Sequence, residues 1–284
     1  MHPTDVWERV ALARHPQRPY ARDYARLCST DFVELRGDRL FADDAAIIGG
    51  PARLDGETVM LIGHQKGRST RENVVRRFGM ARPEGFRKAL RLMRYAERFR
   101  LPVITFVDIP GADPSLEAEE RGQALAIAGN LEAMALLRTP IVAVVTGEGG
   151  SGGALALGMG DRVLMLENAI YSVASPEAAA SILWRDAAKA REAAAALQLT
   201  AEDALRFGVV DAIVPEPPGG AHTDHRATAE AVRHAVRAHL DSVRRLYGGL
   251  AGPDVESLLE ARYQRYHRLG LEARWEARSA SSIT

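Results

Sequence analysis

The sequence predicts an α/β fold with a largely parallel sheet, and three observations carry the prediction. Short apolar, β-rich runs alternate with runs of helical periodicity along most of the chain, the order that lays strands side by side beneath crossover helices. At 284 residues, 46% hydrophobic and 26% charged, the chain is long and apolar enough to bury a substantial core. No internal repeat or low-complexity linker divides it. One domain with helical appendages is the simplest organisation: an N-terminal arm over 1–29, a core over 30–222 and a C-terminal helical region over 223–284.

The elements follow in order. The opening stretch is rich in Arg and Pro, with two X-Pro bonds in "RHPQRPY", and reads as an extended arm outside the core. "AAIIGGPARLDGETVMLIGHQKG" holds two β-rich runs joined by Asp55-Gly56, a strong hairpin signal. In "RPEGFRKALRLMRYAERFR", Phe86, Leu90, Met93 and Ala96 recur at helical spacing, and Pro83 suits the first turn. "LPVITFVD" is a short buried strand that ends at "IPGADP". A long helix over 117–137 precedes the strand "PIVAVVTG", a glycine run with a short helix, and the strand "RVLMLEN". After "AIYSV", Ser175 can cap a helix that starts at Pro176. "LTAEDALRFG" is a further helix, with Thr200 and Asp203 as a capping box and Gly208 as its stop. "VVDAIVPEPPGG" closes the core. Beyond Thr223 the chain is helical and amphipathic, ending in a disordered-looking "SASSIT".

Composition excludes several functions. Lys+Arg and Asp+Glu number 37 each, so no global field draws nucleic acid or an acidic membrane. The lone Cys28 excludes internal disulfides and any cysteine-based zinc site built by this chain alone. No signal peptide is visible and no run approaches ~18 apolar residues, so the expected location is cytoplasmic.

The glycine run "TGEGGSGGALALG" (146–158) holds five glycines in seven residues and fits several signatures. Gly147-x-Gly149-x-x-Gly152 matches a dinucleotide fingerprint, with Glu167 ending the next strand where a ribose-binding acid would sit. That fingerprint normally opens its domain, whereas nearly half of this chain precedes it. Gly149-x-Ser151-x-Gly153 matches a nucleophile elbow, but His222 and His225 follow only in a polar, proline-flanked stretch. A Walker loop fails because no Gly-Lys-Ser/Thr follows. Two readings stay open: glycines for tight packing only, or a strand-to-helix turn whose bare N–H groups and helix dipole hold a developing oxyanion.

Beyond these physical readings, "VVTGEGGSGGALALGMGDRVLMLENAIYSVASPEAAASILW" closely resembles the carboxyltransferase α-subunit family of bacterial acetyl-CoA carboxylase, within the crotonase-like superfamily. "WERVALARHPQRPY", "DFVELRGDRLFADD", "IIGGPARLDG", "GHQKGR", "FGMARPEGFRKALRLM", "AEERGQA", "GVVDAIVPEPPGGAH" and "RYQRYHRLG" resemble it in the same order. The resemblance runs from Trp7 to about Gly270. It implies a crotonase-like ββα spiral core and an α2β2 assembly with a β subunit that carries the zinc, leaving no metal on this chain. It also implies carboxybiotin on a biotin carboxyl carrier protein, with biotin carboxylase and an acyl-CoA as further partners; ATP binding is a property of the complex. The implied reaction carboxylates acetyl-CoA to malonyl-CoA for fatty acid biosynthesis. In that reading amides at Gly152, Gly153 and Ala154 face the charge that develops on the biotin ureido oxygen. Gly149 and Gly150 form the turn, and Pro110, Gly111 and Ala112 form a second donor loop. Lys66, Arg68 and Arg77 are candidates for contacts to CoA or the carrier, or for a solvated loop.

The chain departs from the family's usual run, DTPGAYPG followed by a small residue and GAEERG. It has Ile109 for Thr, Asp113 for Tyr, and Ser115 and Glu117 for two glycines. These changes sit beside the implied biotin pocket. They leave open a carboxyltransferase or decarboxylase acting on another acyl-CoA or acyl carrier, and a non-catalytic assembly partner. Arg262, Tyr263 and Tyr266 in the last helices are expected to pack on a partner.

Overall fold

The computed structural model describes residues 5–247 and 254–270. Helices α1 (Val6–Ala13) and α2 (Ala21–Cys28) precede the hairpin of β1 (Ile47–Leu54) and β2 (Glu57–His64). Asp55 and Gly56 take φ values of 50° and 83°, the double left-handed turn that Asp-Gly supports. Then come α3 (Thr70–Val75), α4 (Pro83–Arg98), β3 (Val103–Ile109), α5 (Leu116–Glu120) and α6 (Gln123–Leu136). The glycine run joins β4 (Ile141–Gly150) to α7 (Ser151–Gly158), followed by β5 (Arg162–Leu166), β6 (Ile170–Ser172) and α8 (Pro176–Trp184). The chain continues through α9 (Ala190–Leu197), α10 (Ala201–Arg206), β7 (Ala212–Val214), α11 (His225–Leu246) and α12 (Val255–Arg268).

The sheet order is β1-β2-β3-β4-β5-β7, with β6 paired to β4 beyond the point where β5 leaves it. Among the strand pairs of the described residues, β1–β2 alone is antiparallel. Every residue of β3 and β4 is buried, as in a central parallel pair covered on both faces. Gly49 approaches Leu92 of α4, whereas Gly63, on the opposite face, approaches Ala21 of α2. Thr105 of β3 bonds the Leu157 carbonyl of α7, and its neighbour Phe106 stacks on Tyr24 of α2. Thus α4 and α7 cover one face and α2 covers the other.

Three expectations need correction. Residues 6–28 are largely helical rather than an extended arm. Val10, Ala13, Ala21, Tyr24 and Ala25 are buried, and the buried Arg18 bonds the Thr146 carbonyl and Glu216. The expected helix over 117–137 breaks at Gly122, whose φ of 81° suits no helix interior. Arg262 and Tyr266 pack on their own chain: Arg262 pairs with Asp161 and donates to the Met134 and Leu137 carbonyls, and Tyr266 bonds Gly160. The polar tail "SASSIT" lies outside the described residues.

Candidate functional site

β3 and β4 run parallel and release their loops at the same end of the sheet, where Ile109 pairs with Gly149. The two loops touch. A methyl group on Gly150 would overlap the Pro110 carbonyl, and one on Gly153 would lie 2.8 Å from the Ala112 nitrogen. Gly147 is filled from the other side by Asp108 Oδ1 at 2.5 Å, and Gly149 by the Tyr171 ring at 2.5 Å. Four of the five glycines are therefore explained by close approach. Gly152 is the exception: a methyl there would meet only Ile127, at 3.8 Å.

The N-terminus of α7 has no side-chain cap. Ser151, at its first position, is exposed with φ of 53°, Gly152 is half-buried, and Gly153 and Ala154 are buried. The leading N–H groups of a helix lack intrahelical acceptors, and of the residues that carry them here Ser151 and Gly152 are the ones not buried. The left-handed Ser151 has the backbone of a nucleophile elbow but not its base. His222 stacks on His15, and His225 bonds the Gln17 carbonyl. Glu167 accepts from the Glu216 backbone, which ties it to the exit of β7 and leaves the dinucleotide reading without its acid. A shallow groove runs beside the turn, lined by Arg14, Pro110, Glu148, Gly150, Ser172 and Ser175 among others.

Charged side chains brace both strand ends. Lys66 Nζ lies 2.6 Å from Asp108 and 3.2 Å from Glu148; Arg14 lies 2.7 Å from Glu148 and 2.6 Å from Glu177 in α8. Burial opposes the charge on Lys66, but the two carboxylates hold its pKa above the ordinary lysine value. Burial likewise pushes the Glu148 carboxyl up, yet Lys66 and Arg14 outweigh it and keep it below the usual range. Arg68 pairs with Asp23 and covers the Tyr20 ring, and Arg77 lies 3.6 Å from Asp113.

The acids of the 109–117 loop are engaged as well. Arg82 pairs with Asp113 at 2.9 Å and Glu117 at 2.7 Å, and Ser115 caps α5. Ile109 is buried against Gly153. These changes brace the loop from outside rather than placing free carboxylates in the groove. Sequence reasoning overlooked Asp108, Glu148 and Arg14. The available signal was an acid at the end of each of two adjacent strands, directly before a Gly- or Pro-containing loop.

The family model described as acetyl co-enzyme A carboxylase carboxyltransferase-like matches residues 2–270. The chain is 58% identical over 263 residues to the acetyl-coenzyme A carboxylase carboxyl transferase subunit alpha of Geobacter metallireducens, covering 93% of this chain and 80% of that one. The corresponding protein of Azotobacter vinelandii is 57% identical, with 93% and 81% covered. The chain belongs to the acetyl-CoA carboxylase carboxyltransferase α-subunit family.

Solved structures share the fold of this carboxyltransferase-family chain. A Pseudomonas malonate decarboxylase hetero-tetramer in complex with coenzyme A contains a chain with a TM-score of 0.67 at 20% identity, covering 93% of this chain and 99% of that one. Transcarboxylase 12S gives a TM-score of 0.59 at 23% identity, covering 76% and 41%. The architecture is the crotonase-like one that the resemblance implied. Within it, the two glycine-bearing loops come together at one end of the sheet. Lys66 lies beneath them in an internal ion cluster, Arg77 pairs with Asp113 in the 109–117 loop, and Arg68 is turned to Asp23 of the N-terminal segment.

Proposed function

We propose that this chain supplies one half of a carboxyltransferase active site, acting with a zinc-bearing β subunit to carboxylate acetyl-CoA in the cytoplasm for fatty acid biosynthesis. The observation that supports it is the meeting of two backbone-donor loops, Pro110–Ala112 and Gly150–Ala154, at an uncapped helix N-terminus. The loops suit an approaching oxyanion because Gly152 and Gly111 leave their surroundings open: a methyl on Gly111 would meet nothing within 4 Å. Bound carboxybiotin, delivered by its carrier protein, supplies the carboxyl group. The chain's part is to present the Ser151 and Gly152 N–H groups, with the dipole of α7 behind them, to an oxygen that gains negative charge. Gly111 and Ala112 offer further donors from the other side.

A partner is supported by apolar surface left exposed on α6 and α8. Leu125 of α6 is 80% exposed, and Ile182, Leu183 and Trp184 at the end of α8 are 75%, 62% and 41% exposed. Consecutive exposed apolar side chains such as those at the end of α8 mark interaction surfaces. The test is an assay with carboxylated biotin and acetyl-CoA, with and without the cognate β subunit. Malonyl-CoA is expected only from the pair. Robust turnover by the isolated chain would overturn the two-subunit reading, and release of CO2 without malonyl-CoA would reassign the pair as a decarboxylase.

A further inference from the structure

The β3–β4 ladder is regular from Val103–Ile141 to Val107–Val145, then jumps to Ile109–Gly149. Between those pairs the shorter β3 segment faces a longer β4 segment, so strand register alone does not fix how the two loops leave the sheet. Asp108 occupies this interruption. Its Oδ1 accepts the Glu148 N–H at 3.0 Å and the Lys66 ammonium at 2.6 Å. Lys66 also reaches Glu148 Oε2 at 3.2 Å, so one cation touches the last acid of each strand. These side chains are 13%, 3% and 10% exposed. The backbone has been cleared for them: a methyl on Gly79 would lie 2.9 Å from Lys66 Cγ, and one on Gly147 would lie 2.5 Å from Asp108.

We propose that Lys66 is a positioning residue that sets the spacing of the two donor loops by pinning Asp108 at the end of β3 to Glu148 near the end of β4. Asp108 lies two residues before Pro110, and Glu148 two before Gly150, so a shift of either strand end passes directly into a donor loop. Arg14 extends the pin to α8 through Glu148 and Glu177, which ties one wall of the groove to the same cluster. A buried cation between two carboxylates has little freedom to relax, because each displacement leaves a charge without its partner. The role in catalysis rests on the proposed carboxyltransferase reading; the geometric role does not.

The experiment separates the two. Amide hydrogen exchange is measured on the full chain for wild type, Lys66→Met, Lys66→Arg and Asp108→Asn. Exchange in 109–112 and 149–154 is expected to quicken at least about tenfold in Lys66→Met, with α11 unchanged, and Lys66→Arg should recover part of the protection. Asp108→Asn keeps an acceptor for the Glu148 N–H but loses the ion pair, so it should loosen the same two loops without unfolding the chain. In the reconstituted complex Lys66→Met should lower kcat by roughly 100-fold, the scale of a 1 Å misplacement, with KM for the acceptor nearly unchanged. Unchanged exchange in both Lys66→Met and Asp108→Asn, or a uniform rise across the chain, would overturn the pin. Absence of carboxyl transfer in the wild type would sink only the functional reading.

Discussion

The five glycines of the turn differ in what a methyl group would cost, and the difference is measurable. Gly150 has the Pro110 carbonyl where its Cβ would be, so Gly150→Ala must force the two loops apart. Gly152 has room, and alanine is the better helix former by about 1 kcal/mol. Thermal unfolding should therefore drop sharply for Gly150→Ala and stay level or rise for Gly152→Ala. In the reconstituted complex Ser151→Ala should keep most activity, since the site presents backbone N–H groups, whereas Gly150→Ala should lose about 100–1,000-fold, the cost of a misplaced oxyanion donor. A dead Ser151→Ala beside an active Gly150→Ala would restore the nucleophile. His64 carries a second residue-scale expectation. Burial, then the nearby Lys66 charge, push its pKa down to about 3, so it is neutral in the fold and titrates near 6.5 only when unfolded. Between those values the unfolded state binds the extra proton, and stability falls as pH falls, by up to about 1.4 kcal/mol per pH unit. Glu148, with its depressed pKa, contributes stability above the ordinary carboxylate range that is lost as pH falls through its folded value. Its loss therefore begins lower on the scale. His64→Asn keeps an acceptor for the Asp108 N–H and should flatten the decline between pH 6.5 and 4.5. An identical decline in denaturant titrations of both proteins would refute this.

At the scale of elements, the capping signals were legible because they are local. Pro83 and Pro176 open α4 and α8, Ser175 caps α8, and Thr200 with Asp203 forms the capping box of α10. The turn at Asp55-Gly56 was readable for the same reason. What sequence could not supply was long-range pairing. The prolines of "RHPQRPY" punctuate the start of the chain, yet the buried Arg18 bonds Thr146 and Glu216, partners 128 and 198 residues away. The donor turn was likewise legible as glycines, while its brace of Lys66, Asp108, Glu148 and Arg14 comes from four separate segments. Arg262 of α12 follows the same pattern. Its guanidinium binds both oxygens of Asp161, at 2.8 and 2.9 Å, and satisfies carbonyls at the end of α6. Arg262→Met would leave Asp161 buried without its cation, a loss expected to cost about 3–5 kcal/mol. Equilibrium denaturation measures it, and a change below about 1 kcal/mol would show that α12 contributes little to the fold.

For the molecule as a whole, the distribution of apolar surface is what distinguishes the two sides of the question. α6 runs fourteen residues with Glu132 as its single charge, and an apolar helix of that kind normally lies between two packed surfaces. Here one side packs on the chain's own α4 and α7, while Leu125 and Leu136 are 80% and 62% exposed. The end of α8 adds Ile182, Leu183 and Trp184, and α8 is tied back to the donor turn through Glu177, Arg14 and Glu148. A partner seated on either face would bury these apolar side chains, and one seated on α8 would also touch the helix that carries Glu177. Ile182→Asp and Leu125→Asp change exposed positions, so each isolated chain should unfold within about 0.5 kcal/mol of the wild type. Trp184→Ala removes the residue type that most often dominates such interfaces. All three should weaken association with the β subunit at least about tenfold in sedimentation or titration experiments, equivalent to roughly 1.4 kcal/mol each. If the three variants assemble as tightly as the wild type while the chain still requires its partner for turnover, the docking surface lies elsewhere, and the exposed faces of α6 and α8 need a different explanation.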